Sequence, residues 1–291
     1  MTTTWTPPSA DDRRPYPPPR QTARADPGLD RSDLERPPPS RVPWVVFGSL
    51  LVVGAVVMGT FNVTSLLAHG ERVSTRTFPA AEITDIVIGT DTGSVQVAGA
   101  DVDEVTVRAE ISRGLRETGS SQTVEASTLR LDGSCPVVGN EWCSVNYTVE
   151  VPRDLDVVID TDGGATVRNV DGTVNVSSDN GRVTLSSLSG AVDVDADNGR
   201  VEGTNLSSGT VVVDADNGRI ELEFATAPEH VVTESDNGSV DIAVPRVEGG
   251  YAVESSTDNG SETIDVATDP AAVRRIRASS DNGSISVRST D

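Results

Sequence analysis

The sequence predicts an all-β chain, built as a parallel β-solenoid (β-helix-like) of 17–23-residue rungs that follows one transmembrane helix and a disordered Pro-rich tail. Three observations predict it. The phrase Asp-Asn-Gly occurs six times, at Asp179-Asn180-Gly181, Asp197-Asn198-Gly199, Asp216-Asn217-Gly218, Asp236-Asn237-Gly238, Asp258-Asn259-Gly260 and Asp281-Asn282-Gly283. From Asp162 onward the turn aspartates are spaced 17, 18, 19, 20, 22 and 23 residues apart, the period of a stacked repeat. Residues 44–61 form an apolar run of 18 residues without a charge.

Composition bounds the function. A length of 291 residues allows one or two domains. Up to Pro43 seven Arg face six Asp and Glu, whereas beyond it sixteen Arg face thirty-nine, so the body carries −23. A body this acidic repels phosphate backbones, which excludes nucleic acid as a partner. The chain has no lysine, and so no phosphate-loop, Schiff-base or kinase-strand lysine. Two histidines, His69 and His230, are too few for a His-rich zinc site.

Taken in order, residues 1–42 read as a disordered cytoplasmic tail. Eleven of the seventeen prolines fall at or before Pro43, and the apolar content is too low to offset ordering entropy. Residues 43–68 read as the transmembrane helix, in contact with the lipid bilayer. The uncharged run spans roughly 27 Å at about 1.5 Å per residue, close to the hydrocarbon thickness. Arg24, Arg31, Arg36 and Arg41 precede it and only Arg72 and Arg76 follow closely, which points the N-terminus to the cytoplasm of a single-pass cell-membrane protein. A cleaved signal peptide fits less well, because its leader would be some forty residues long. Residues 69–78 read as a polar tether.

Residues 79–291 read as an extracytoplasmic β-repeat domain, with an irregular opening over 79–155 and regular repeats over 156–291. In the opening, strands are expected at 102–111, 123–131 and 144–151. Cys135 and Cys143, eight residues apart in an oxidising compartment, most simply form a disulfide. Closing so short a loop contributes on the order of 2–3 kcal/mol. Trp142 is expected to cover the edge of the hairpin pinned there.

Within the repeats, apolar residues stand five and three positions before the Asp, as in Val174 and Val176 or Val192 and Val194. Others stand four and six positions after it, as in Val183 and Leu185 or Ile220 and Leu222. This alternation predicts two half-buried strands flanking each turn. The turn residues suit a tight corner. Gly and Asn tolerate φ > 0, and Asp can close an Asx turn. Stacked rungs and a meander with Asn-Gly hairpin tips both fit the parity. The solenoid is favoured because one corner is constant while the other varies in length. Eight rungs would stand roughly 35–40 Å tall. The C-terminal rung is expected to be the open last one.

The run Val149-Glu-Val-Pro152 … Leu155-Asp-Val-Val-Ile159-Asp-Thr-Asp-Gly-Gly164 … Val174-Asn-Val176 … Asp179-Asn-Gly181-Arg-Val183 resembles the bacterial β-strand-repeat "putative adhesin" family, a domain of unknown function. The resemblance covers about residues 80–291. It implies a β-helix-like, often membrane-tethered domain and transfers no catalytic residue.

A column of aspartates at about 4.8 Å costs roughly 0.9 kcal/mol per neighbouring pair in water. Arg182, Arg200 and Arg219 follow three of the glycines and are expected to neutralise it. Ser239, Ser261 and Ser284 follow the other three, leaving Asp236, Asp258 and Asp281 as candidates to recruit Ca²⁺. No catalytic, cofactor or metal-ligand residue is assigned. The resulting expectation is a non-catalytic, membrane-anchored envelope protein for surface interaction or assembly with an unidentified envelope component. The second reading is a sensor acting through its tail, and the third a β-helix carbohydrate-active enzyme.

Overall fold

The computed structural model describes residues 42–67, 70–113, 118–135 and 143–290. The Pro-rich tail and Trp142 lie outside the described residues. Helix α1 (Val42–Leu67) forms on the uncharged run, but among the described residues no helix is long and apolar enough to cross a membrane. The expected membrane span over 43–68 is therefore corrected to a helix. Its side chains are described for residues 46–59.

Among the described residues from Gly70 onward, the elements are β-strands and one 3₁₀ turn. The tether expected over residues 69–78 is instead largely strand β1 (Gly70–Pro79). A single 3₁₀ turn, Ala80–Glu82, leads into β2 (Asp85–Thr90), β3 (Val95–Ala100) and β4 (Glu104–Arg113). The strand expected over 123–131 is instead a hairpin, β5 (Gly119–Glu125) and β6 (Thr128–Ser134). Ala126 turns its corner at φ 55° without a Gly, Asn or Pro to announce it. Strand β7 (Ser144–Pro152) closes the opening.

The repeats follow as pairs of strands: β8 (Asp156–Thr161) with β9 (Ala165–Arg168), β10 (Val174–Asn180) with β11 (Val183–Ser186), and β12 (Val192–Asn198) with β13 (Val201–Leu206). Then come β14 (Thr210–Asn217) with β15 (Ile220–Phe224), β16 (His230–Asn237) with β17 (Val240–Pro245), β18 (Ala252–Asn259) with β19 (Glu262–Asp265), and β20 (Arg275–Asn282) with β21 (Ile285–Thr290). In every pair the strand before the turn lies in a ten-stranded sheet and the strand after it in an eleven-stranded sheet. Each Asp-Asn-Gly thus carries the chain from one sheet to the other and is not a hairpin tip. Equivalent positions align in parallel register, Val174 beside Val192 and Val192 beside Val211. The inward positions read from the sequence form the core, with Val174, Val183, Leu185, Val211, Ile220 and Val240 all fully buried. Their burial is the main favourable term holding the sheets together.

The expected parallel β-solenoid, a single stack of rungs in chain order, is corrected. Both sheets are mixed. Strand β4 pairs antiparallel with β1 and β7, and β5 pairs antiparallel with β6. Strand order also leaves chain order at the other end, where the ten-stranded sheet runs β18-β20-β16 and the eleven-stranded sheet β17-β21-β19. The C-terminal pair β20/β21 is therefore interior, and the pair before it forms the outer edge. Side-chain chemistry accounts for the exchange. The C-terminal pair points Ile276, Ala278, Ile285 and Val287 inward, each at most 1% exposed. The outer pair places Val253, Ser255, Thr257, Glu262 and Ile264 at the matching positions, and Ser255 Oγ donates to the Glu262 carboxylate. The apolar pair occupies the slot with two neighbours, and the polar pair faces water.

This order predicts opposite costs for two similar truncations. Ile276→Ala should destabilise by about 2–5 kcal/mol, as for other buried Ile or Leu truncations, whereas Ile264→Ala, at a site already 36% exposed, should cost less than about 1 kcal/mol. Urea denaturation of both variants checks it. Equal costs, or a larger cost at Ile264, would count against the interior placement of β20/β21.

Candidate functional site

The repeated corner is the most regular exposed feature of the β body. Its glycines are explained by contact rather than by φ. None of the six Asp-Asn-Gly copies has a residue at positive φ among the described residues, so the expected left-handed corner is corrected. A Cβ on Gly199 would lie 1.7 Å from the Gly181 carbonyl oxygen, one on Gly218 1.4 Å from that of Gly199, and one on Gly238 1.6 Å from that of Gly218. Only a residue without a side chain lets the corners stack this closely.

The asparagines form a ladder. Asn198 Nδ2 lies 3.5 Å from Asn180 Oδ1, Asn217 donates to Asn198 at 3.3 Å and Asn237 to Asn217 at 3.1 Å. The ladder continues in spatial order, Asn282 donating to Asn237 and Asn259 to Asn282, both at 3.1 Å. Side-chain amides stacked at strand spacing bond to one another as they do in cross-β ladders. Beneath them is a buttress the sequence reading missed. Small hydroxyl residues just before the Asp donate to the neighbouring corner's glycine carbonyl: Ser178 to Gly163 at 2.8 Å, Ser280 to Gly238 at 3.0 Å and Thr257 to Gly283 at 2.8 Å. The signal was the restriction of that position to Ser, Thr or Ala in all six copies.

The aspartates face solvent. Among the described residues none of the six corner carboxylates joins an ion pair, and the expected pairing with arginine is corrected. Arg182 and Arg200 turn instead to Glu202, at 3.9 and 3.1 Å, and Arg219 to Glu221 at 3.2 Å. Arg200 and Arg219 reach the carboxylate two residues on, and Arg182 reaches Glu202 of the neighbouring strand, all on the outer face of the eleven-stranded sheet rather than back across the corner. The acidic column therefore has no counter-ion among the described residues, and a second row runs beside it. Asp195, Asp214 and Glu234 are direct neighbours on β12, β14 and β16. Burial first, then Glu234, Asp195, Asp216 and Asp236, push the Asp214 carboxyl above the ordinary carboxylate range. Burial, then Asp179, Asp91 and Asp160, do the same at Asp162.

Among the described residues no group of three or more His, Cys, Asp or Glu is placed to hold a metal ion. This includes Asp236, Asp258 and Asp281, which succeed one another along the column in the order 236, 281, 258. Cys135 and Cys143 are joined as a disulfide in the opening, away from the corner column. His230 is exposed at the start of β16, beside Thr210 and Arg275 in register.

No protein-family model matches the chain. No curated protein matches it. Among solved structures it is similar to a "putative cell adhesion protein" from Clostridium sporogenes, at 10% identity and TM-score 0.36 over 76% of this chain and 100% of that one. It is also similar to a "putative adhesin" from Bacteroides fragilis, at 16% identity and TM-score 0.35 over 75% and 97%. A third likeness is a "putative adhesin" from Parabacteroides merdae, at 9% identity and TM-score 0.35 over 76% and 97%. All three are described as "putative" adhesion proteins, and at such identities and TM-scores they carry no argument about this chain's role.

Two outcomes follow from the corner. Gly218→Ala places a methyl 1.4 Å from a neighbouring backbone oxygen and should destabilise by at least about 2 kcal/mol; a Tm within 1–2 °C of wild type, about what a few tenths of a kcal/mol produces, would refute the close-contact account. At Asp214 the charged form is disfavoured in the folded state. Its repulsion is fully present above the raised pKa and is relieved as the pH falls through it. Asp214→Asn should accordingly stabilise at pH 7 by a few tenths of a kcal/mol, a gain that disappears toward pH 4 in thermal scans. A gain independent of pH would refute it.

Proposed function

We propose that this chain is a non-catalytic interaction module of the cell envelope, with its β body outside the cytoplasm. The observation that supports the reading best is the repetition of one exposed side-chain set at strand spacing. The aspartate column, asparagine ladder and adjoining carboxylate row offer the same chemistry several times along a rigid frame. Repeated weak contacts on a fixed spacing give avidity without a deep pocket. The disulfide supports the oxidising side of a membrane as the location, and the acidic body disfavours nucleic acid and anionic lipid as partners.

The test is retention of envelope fractions on the immobilised full chain. Compared with wild type, the Asp197→Asn/Asp216→Asn/Asp236→Asn variant should retain its bound component at least about tenfold less, since each exposed contact is worth a fraction of a kcal/mol and several act together. No retention by wild type, or equal retention by the variant, would reject the column as the interacting surface.

A further inference from the structure

The exchange of the last two strand pairs leaves an unusual edge. Strand β18 is the outermost strand of the ten-stranded sheet and, among the described residues, pairs only with β20. The Ala252 N–H donates to the Arg274 carbonyl at 2.9 Å. Backbone groups alternate between neighbours along a strand, so those of Val253, Ser255 and Thr257 point to the open side. The chain itself begins to fill that side. The Tyr251 N–H donates to the Ala267 carbonyl at 2.9 Å, and the Tyr251 carbonyl accepts from Asp269 at 3.0 Å. Pro270 follows at once and cannot donate to continue the ladder. Beyond this stub lies a groove of about 700 Å³ lined by Ala252–Ser255, Ile264, Val266 and Ile276 together with His230, Pro270, Arg275 and Arg277.

We propose that this edge accepts an extended strand from a partner protein, with alternating basic and apolar residues. The proposal deepens, and rests on, the reading of the chain as an interaction module. Three features define the ligand. Unpaired backbone groups supply main-chain hydrogen bonds in the manner of β-augmentation. On the outer face β18 presents Glu254 and Asp258, both exposed, so the added strand carries cations at those positions. Arg277 stands beside Glu254 on β20 and makes no ion pair with it among the described residues. On the inner face Val253 is half-buried and Ile264 is 36% exposed, so the alternate residues of the added strand are apolar and cover them.

The net −23 of the body beyond Pro43 draws such a strand in. The same charges disfavour a second copy, whose β18 would set Glu254 and Asp258 against their own kind. Strand β18 carries neither the Lys nor the Pro that commonly blocks an exposed edge.

The experiment uses the full chain and three end-capped octapeptides read by fluorescence anisotropy at about 0.15 M salt. They are (Val-Lys)₄, (Val-Glu)₄, and (Val-Lys)₄ methylated on alternate backbone nitrogens. The lysyl peptide should bind at least about tenfold more tightly than the glutamyl one, and methylation should abolish binding. The surface variant Glu254→Lys/Asp258→Lys should reverse the order of the two unmethylated peptides. Equal binding of the methylated peptide, an unchanged order in the variant, or no peptide binding would each overturn the proposal. So would a concentration-dependent dimer of wild type in sedimentation that the variant lacks, which would give the edge to a second copy. Retention of envelope material in the preceding assay alongside failure here would reject only this inference.

Discussion

The β body depends on one close contact, that of each corner glycine with the carbonyl oxygen of the next. Where a Cβ would sit 1.4–1.9 Å from that oxygen, for Gly199, Gly218, Gly238, Gly260 and Gly283, no other residue allows the corners to stack. Once they do, the flanking strands are fixed in register, since a slip of one residue would turn every inward valine outward. Register then aligns like with like. The asparagines meet as a ladder, the Ser and Thr hydroxyls reach neighbouring glycine carbonyls, and the aspartates line up whether or not that suits their charge. The acidic column is a consequence of backbone packing at the corner, offset by the amide ladder and the buried valines rather than by counter-ions.

Burial decides what the corner leaves open. Every repeat carries the same turn, so the turn cannot set which repeat lies next to which. In the sheets, β20 makes the same register with β16 that it makes with β18, Ile276 standing beside both Val231 and Val253. The slot with two neighbours therefore goes to the pair that gains most from leaving water. Four inward apolar residues outweigh a pair that offers Ser255, Thr257 and Glu262. The outward pair then works as a terminal cap with a polar face, which repeat arrays need for solubility.

This divides what the sequence made legible from what it did not. The turn phrase and the parity of Val174, Val176, Val183 and Leu185 are local, period-based signals, and they placed both strands of each repeat and the core. The strand order at β18–β21 is a competition between distant segments, and no local pattern expresses it. The φ argument for Gly and Asn failed because a Gly needed for close approach and a Gly needed for a left-handed turn look alike in a sequence. The Arg–Asp pairing failed because it assumed contact across a corner, while two residues along a strand put Arg219 and Glu221 on one face. Strand β1 was hidden because its residues are mostly exposed, so its strand character comes from pairing with β4 rather than from alternation.

The surface chemistry follows from the same frame. Inward positions are taken by Val, Ile and Leu, and the outward positions of the ten-stranded sheet gather Asp195, Asp214 and Glu234 in one row. Such a row raises the free energy of the folded chain at neutral pH, as the upward shift at Asp214 registers. Removing the repulsion would take only a neutral side chain, and Ser177 and Ser279 stand at the matching positions on β10 and β20 without disturbing the register. The acidity is thus not required by the corner, the core or the ladder. What it does supply is a field that keeps copies of this chain apart and draws cations toward both sheets. A β body whose described strands end at the unpaired edge of β18 gains from that field, because strand edges are where like chains otherwise pair.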